Sequence, residues 1–457
     1  MRKFGLKIGL IIVIAVLIGV IAGCVPHTDE TLYVLNWGDY IDESLKQEFV
    51  TYYKERTGKS IRLQYSELDT NEQMLTQVIE NDSAAGSGTM QLDMLAPSEY
   101  AIQKLLEKGL LQKIGTEDEL DKFWGNIEPM VKEHVDETFS ELTIKGEKID
   151  MTDYLVPYMW GTLGILYNKD VVKPEDLAQG WGLLWNKNNN PELVGKIYMK
   201  DSIRDAYVAG VMYLKENNRL PEAYKDYKVE KLINTVTQEL LEAVEVVLTE
   251  QKTQKILYSV DFDKEEVIAG NAYVDLAWSG DAVYSIEEAK TKHNRNLGYL
   301  VPESGSNIWF DGWVIPKKAQ NPAAAKIFIE FLNLPLSAMK NMWEIGYTTG
   351  VKRDLMRADE KVVSFIKELE LEPDDIFLDP VQYFDGNCEM GVMKDFGDNE
   401  AKVVSMWERT KVNGITPITK DNTWVFILIA IGGVAVIGAI IAFIMIKKKG
   451  GKRRKIS

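Results

Sequence analysis

The sequence predicts an α/β protein in which a parallel sheet carries helices on both faces. Short apolar runs alternate with stretches of helical spacing, which is the pattern parallel strands need for their crossovers. Gly, Pro, Asn and Asp punctuate the boundaries between them. The chain has 457 residues, 46% hydrophobic and 27% charged. That suffices for roughly two to three domains with ordinary cores and excludes wholesale disorder.

The elements follow in order. Residues 32–35 (LYVL) are a short apolar strand. Residues 42–57 place Leu45, Phe49, Val50 and Tyr53 on one helical face and end at Gly58. Residues 61–65 alternate as a second strand, and residues 70–81 read as a helix. The small-residue run 83–89 is a loop, residues 92–95 are a third strand, and Ser98 caps the next helix. The alternation returns with a strand near Ile197 and helices over 201–215 and 230–251. A strand over 272–277 and a helix over 323–332 follow, and there is no internal repeat.

The two ends read as targeting segments. Arg2, Lys3 and Lys7 flank the start of an uncharged apolar run from Ile8 to Gly23, so residues 1–23 are expected to be a signal peptide. Ile21-Ala22-Gly23-Cys24 resembles a bacterial lipobox, which implies lipidation of Cys24. Residues 424–446 carry no charge. At about 1.5 Å per residue they reach roughly 34 Å, enough for a transmembrane helix. The basic tail 447–457 is expected on the cytoplasmic side, which leaves the body on the extracellular or periplasmic face of the membrane.

Charge and composition narrow the function. Ten basic residues lie in the two ends, which leaves 43 basic against 69 acidic residues between them, a formal charge of −26. Such a body attracts cations and is a poor partner for nucleic acid. Two cysteines and three histidines (His27, His134, His293) speak against a disulfide scaffold, a Cys/His metal cluster and a Ser-His-Asp triad. Cys388 has no expected intramolecular partner. No phosphate-binding loop, dinucleotide fingerprint, nucleophile elbow or zinc-protease motif occurs. Abundant carboxylates leave a glycosidase-like acid pair open, though nothing singles one out; the expectation is a binding protein without cofactor or metal, not an enzyme.

Aromatic residues stand beside carboxylates at four places. These are Asn36-Trp37-Gly38-Asp39-Tyr40, Pro97-Ser98-Glu99-Tyr100, Trp278-Ser279-Gly280-Asp281 and Ile308-Trp309-Phe310-Asp311-Gly312-Trp313. Each is read as a strand end, and open α/β sheets bind ligands at the carboxyl ends of strands. Ring faces attract ammonium groups and cover methylene chains, while carboxylates pair with the charge. An aliphatic polyamine is the ligand that combination suits.

The stretches LYVLNWGDYI, DMLAPSEY, VPYMWGTLGILYN, KDSIRDAY, VDLAWSGDA, NIWFDGWVIPKKAQNP and EIGYTTG resemble the spermidine/putrescine-binding proteins of bacterial polyamine ABC transporters. The resemblance runs from about residue 31 to residue 412. It implies a two-lobed, type II venus-flytrap fold that captures a polyamine and delivers it to permease subunits, as a monomer. It implies lobes of residues 29–160 plus 310–355 and 161–309 plus 356–418, hinged near Trp160, Trp309 and Leu355. It assigns Trp278 and Trp309 to the methylene chain, and Asp39, Asp205 and Asp311 to ammonium groups. Trp37 belongs to the first-lobe ligand segment. Tyr40, Tyr100, Tyr347 and Ser98 supply hydroxyls or ring faces. Ser202 stands where members commonly carry an acid, which favours putrescine over spermidine, and Asp281 is a candidate to compensate. The alternatives are a protein of this fold for another organic cation or a metal ion, and an extracellular hydrolase with paired carboxylates.

Overall fold

In the computed structural model, which describes residues 30–83, 91–260, 262–384, 386 and 388–412, the first strand is Glu30–Trp37. It pairs in parallel with Ile61–Leu68 on one side and Met94–Leu95 on the other. Helix Glu43–Thr57 connects the first two strands. Asp42 caps it by accepting a hydrogen bond from the Ser44 N–H at 2.8 Å, and Gly58 closes it in the left-handed region. Leu45, Phe49 and Tyr53, spaced by four, bury its inner face.

Two long strands then connect two apolar cores. Leu155–Asn168 and Ser306–Pro316 run antiparallel to each other, and nearly every residue in them is buried. A strand covered on both faces needs such a continuous apolar run. The first core gathers Leu32, Phe49, Met94, Trp160, Phe310 and Phe328. The second gathers Leu163, Trp181, Met199, Tyr207, Leu276 and Trp407. The sheet order is Ile61–Leu68, Glu30–Trp37, Met94–Leu95, Ser306–Pro316, Leu155–Asn168, Val274–Trp278, Ile197–Lys200, Leu257–Ser259. The outer strands on each side are parallel, but the two central ones are antiparallel to their neighbours. The sheet is therefore mixed, not parallel throughout.

Three further expectations change. Residues 230–251 form two helices, Val229–Ile233 and Gln238–Gln251, because Thr237 starts the second by accepting the Leu240 N–H at 3.2 Å. The aromatic stretch 308–313 lies inside a strand, not at its end. A third, smaller cluster holds Leu166, Val267, Ala277 and Leu297 beside the second core. The chain passes from Trp160 to Leu163, from Leu297 of that cluster to Ile308 of the first core, and from Val392 to Met393. Among the described residues no passage falls near Leu355. Val362 and Ile366 lie one turn apart and pack helix Glu360–Glu368 toward Pro335–Ile345, which keeps this region in the first core.

The signal segment 1–23, Cys24, the apolar segment 424–446 and the tail 447–457 lie outside the described residues. Among the described residues no helix is long and apolar enough to cross a membrane. The chain divides at Thr410 into a large body and a C-terminal segment, and every element above belongs to the body.

Candidate binding site

Asp311 lies where the register between the two long strands shifts. Pro157 sits at that shift; lacking an N–H, it fits a central strand only where the ladder is interrupted. The Asp311 carboxylate is 5% exposed and accepts hydrogen bonds from the Tyr40 hydroxyl at 2.8 Å and Ser98 Oγ at 2.7 Å. Burial pushes its pKa up to about 6, against the two hydroxyls and the nearby Trp37 indole, which favour the charged form. The Trp37 N–H makes no hydrogen bond of ordinary geometry, so the hydroxyls are the firmer partners.

Ser98 is the N-cap residue of helix Glu99–Glu107, as expected, yet its hydroxyl does not cap the helix. It accepts from Asn71 Nδ2 at 3.0 Å and donates to Asp311. Asn71 also donates to the Tyr100 hydroxyl at 2.8 Å. Glu99 accepts the Phe310 N–H at 3.2 Å and is buried. Burial, reinforced by the Asp311 charge, pushes its pKa up to about 8.

Four rings form a ladder beside the carboxylate. Centroid distances are 5.5 Å for Tyr158–Tyr40, 5.1 Å for Tyr40–Tyr347 and 5.6 Å for Tyr347–Trp309, all edge-to-face. Two glycines make room for it. A Cβ at Gly161 would lie 2.7 Å from the Trp309 ring, and one at Gly280 2.2 Å from the Tyr347 ring.

The second core supplies the facing groups from the carboxyl ends of its strands. Trp278 ends strand Val274–Trp278, and its indole N–H donates to Asp205 Oδ1 at 3.3 Å. Asp205 lies in the first turn of helix Ile203–Glu216, whose N-cap is Ser202. Burial raises the Asp205 pKa, opposed by Ser202 and Trp278. Asp281, in the first turn of Ser279–His293, accepts the Tyr347 hydroxyl at 2.9 Å, which ties the ladder to the second core. Burial alone would raise the Asp281 carboxyl, but Lys200 and Lys264 outweigh it and hold it below its ordinary value. The Arg204 guanidinium lies 3.6 Å from the Tyr100 ring centroid and makes a second bridge between the cores.

The expected residues Trp37, Tyr40, Ser98, Tyr100, Asp205, Trp278, Asp281, Trp309, Asp311 and Tyr347 thus meet in one network. Asp39 stays outside it, exposed in the turn after the first strand with φ of 50°. Asn71, Lys200 and Arg204 join this network without having been singled out, and Glu99 joins it as the carboxylate of the Pro97-Ser98-Glu99-Tyr100 cluster. Lys200 closes an otherwise uncharged strand, but the sequence alone does not tell a buried lysine there from a surface one. Among the described residues no group of three His, Cys, Asp or Glu side chains is placed to hold a metal ion. A desolvated carboxylate with hydroxyls and ring faces around it suits an alkylammonium group.

Comparison with known proteins agrees in kind. The family described as bacterial extracellular solute-binding protein matches residues 38–335. The chain is 26% identical over 326 residues to the spermidine/putrescine-binding periplasmic protein of Escherichia coli (strain K12), covering 71% of this chain and 79% of that protein. It is 26% identical over 341 residues to a putrescine-binding periplasmic protein of Pseudomonas aeruginosa, covering 73% and 81%. The structure of a spermidine/putrescine ABC transporter substrate-binding protein from Streptococcus pneumoniae matches with a TM-score of 0.60 and 26% identity. That match covers 84% of this chain and 99% of the other.

Proposed function

The chain belongs to the bacterial extracellular solute-binding protein family, and we propose that it captures a linear polyamine and hands it to the permease subunits of an ABC importer. It has the two-domain, mixed α/β fold of periplasmic binding proteins. The cores suggest one lobe from residues 30–160 with 308–392, and another from residues 163–300 with 393–410. The polyamine lies between them.

The observation that carries this reading is the Asp311 carboxylate, buried, held by two hydroxyls and flanked by the ring ladder. Asp311 takes one ammonium and Asp205 the other. Trp309 and Trp278 cover methylenes, and Tyr40, Tyr100, Tyr347 and Ser98 orient the carboxylates or present ring faces. The exposed Asp39 acts at the entrance through the acidic field. Dehydration on closure rejects ligands that leave a carboxylate unpaired. Cys24 and residues 424–446 are the proposed attachments to the outer face of the membrane, and the captured ligand leaves unchanged.

Tryptophan fluorescence tests the reading, because Trp37, Trp278 and Trp309 line the site. Putrescine or spermidine is expected to give a saturable change and butylamine none. No change with either polyamine would leave the fold standing and refute the ligand.

A further inference from the structure

Lys200 ends strand Ile197–Lys200 at the carboxyl edge of the second-lobe sheet, the edge at which such sheets hold ligands. Its side chain is fully buried. Its Nζ lies 2.9 Å from Asp263 Oδ2, 3.2 Å from Asp281 Oδ2 and 4.5 Å from the centroid of the Trp278 ring. An aromatic face with carboxylates beside it is the environment an alkylammonium ligand would seek. Lys264 reaches the other Asp281 oxygen at 3.3 Å. Asp281 is therefore compensated by the chain itself. Asp205 accepts the Trp278 indole and Asp311 accepts two neutral hydroxyls, and among the described residues no ion pair reaches either carboxylate.

We propose that Lys200 determines specificity: its own ammonium fills the Trp278–Asp281 position, so that the cleft offers Asp311 and Asp205 to a diamine and has no place for the third amine of a triamine. This rests on the polyamine reading above. A third ammonium entering here would face two lysines: Asp281 is paired with both and Asp263 with Lys200. Burial and the Asp263 charge push the pKa of the enclosed Asp275 well up and favour its neutral form. A buried charge without a charged partner is costly. The position of Lys200 also replaces the earlier expectation that Asp281 compensates for Ser202.

The test is calorimetric titration of the full chain with putrescine and with spermidine. Putrescine is expected to bind at least about tenfold tighter. Lys200→Met is expected to move the affinity ratio toward spermidine by at least about tenfold, because the ligand's ammonium takes the vacated place. That variant leaves Asp263 and Asp281 short of a counter-charge. The double variant Lys200→Met/Asp263→Asn removes one charge of each sign and replaces it where the single variant does not fold. Wild-type protein that binds spermidine as tightly as putrescine overturns the proposal, and so does an unchanged ratio in a folded variant. Failure of the wild type to bind either polyamine overturns the functional reading instead.

Discussion

Glu99 and Asp311 are two buried carboxyls that meet at one strand, since Glu99 accepts the N–H of the residue before Asp311. With pKa values of about 8 and about 6, Glu99 keeps its proton at neutral pH and Asp311 has lost most of its own. A dication pairs with the ionised Asp311, so polyamine affinity is expected to rise from pH 5 to pH 7. Titrations across that range check this, and a flat profile contradicts it. Stability runs the other way. Asp311 is raised from 3.8 to about 6 in the folded state, so its contribution is fully present below the unfolded value and lost as pH rises through about 6. The shift corresponds to about 3 kcal/mol. Asp311→Asn is therefore expected to raise the unliganded Tm at pH 7, as a thermal melt would show. Asp311 and Tyr40 were legible because each stands within three residues of a tryptophan in an aromatic and acidic cluster. Lys200 and Arg204 were not, because a cation in sequence looks like surface charge until its partner is known. Asp281 lies 81 residues from Lys200.

Short connections and caps were the legible elements. Gly58 and Ser98 were legible as helix ends, whereas Asp42 and Ser202 emerge as caps only in the structure. The long strand Leu155–Asn168 was not legible as one element, because Pro157, Gly161 and Gly164 read locally as breakers. Only the fold explains them: Pro157 sits at the register shift, and Gly161 lies under Trp309. Gly280→Ala tests the same logic in helix Ser279–His293. Alanine favours the helix by about 1 kcal/mol, but its Cβ would strike the Tyr347 ring and displace the hydroxyl from Asp281. Calorimetry is expected to show weaker putrescine binding, and a melt a lowered Tm. Thr237→Ala, which removes the cap of Gln238–Gln251, is expected to cost about 1 kcal/mol of stability and leave binding unchanged. A matching loss of affinity would contradict the separation of that helix from the site.

At the scale of the molecule, two main cores are joined by three chain passages, and the proposed function has the lobes open and close by rotation about them. The contacts Tyr347–Asp281 and Arg204–Tyr100 bridge the cores, so the described arrangement is one with the lobes engaged. The surrounding charge of −26 draws polycations toward the cleft, and salt is expected to slow capture more than release. The two-lobed plan was legible through resemblance, but the third passage at Val392 depends on packing that sequence spacing does not reveal. The proposed function converges on one buried carboxylate, Asp311, as the acceptor of an ammonium group. Isothermal titration of putrescine at pH 7 into the wild type and Asp311→Asn tests that most directly. The expected result is saturable binding by the wild type and a loss of about 2–5 kcal/mol in the variant. Binding by the folded variant within about twofold of the wild type would contradict it.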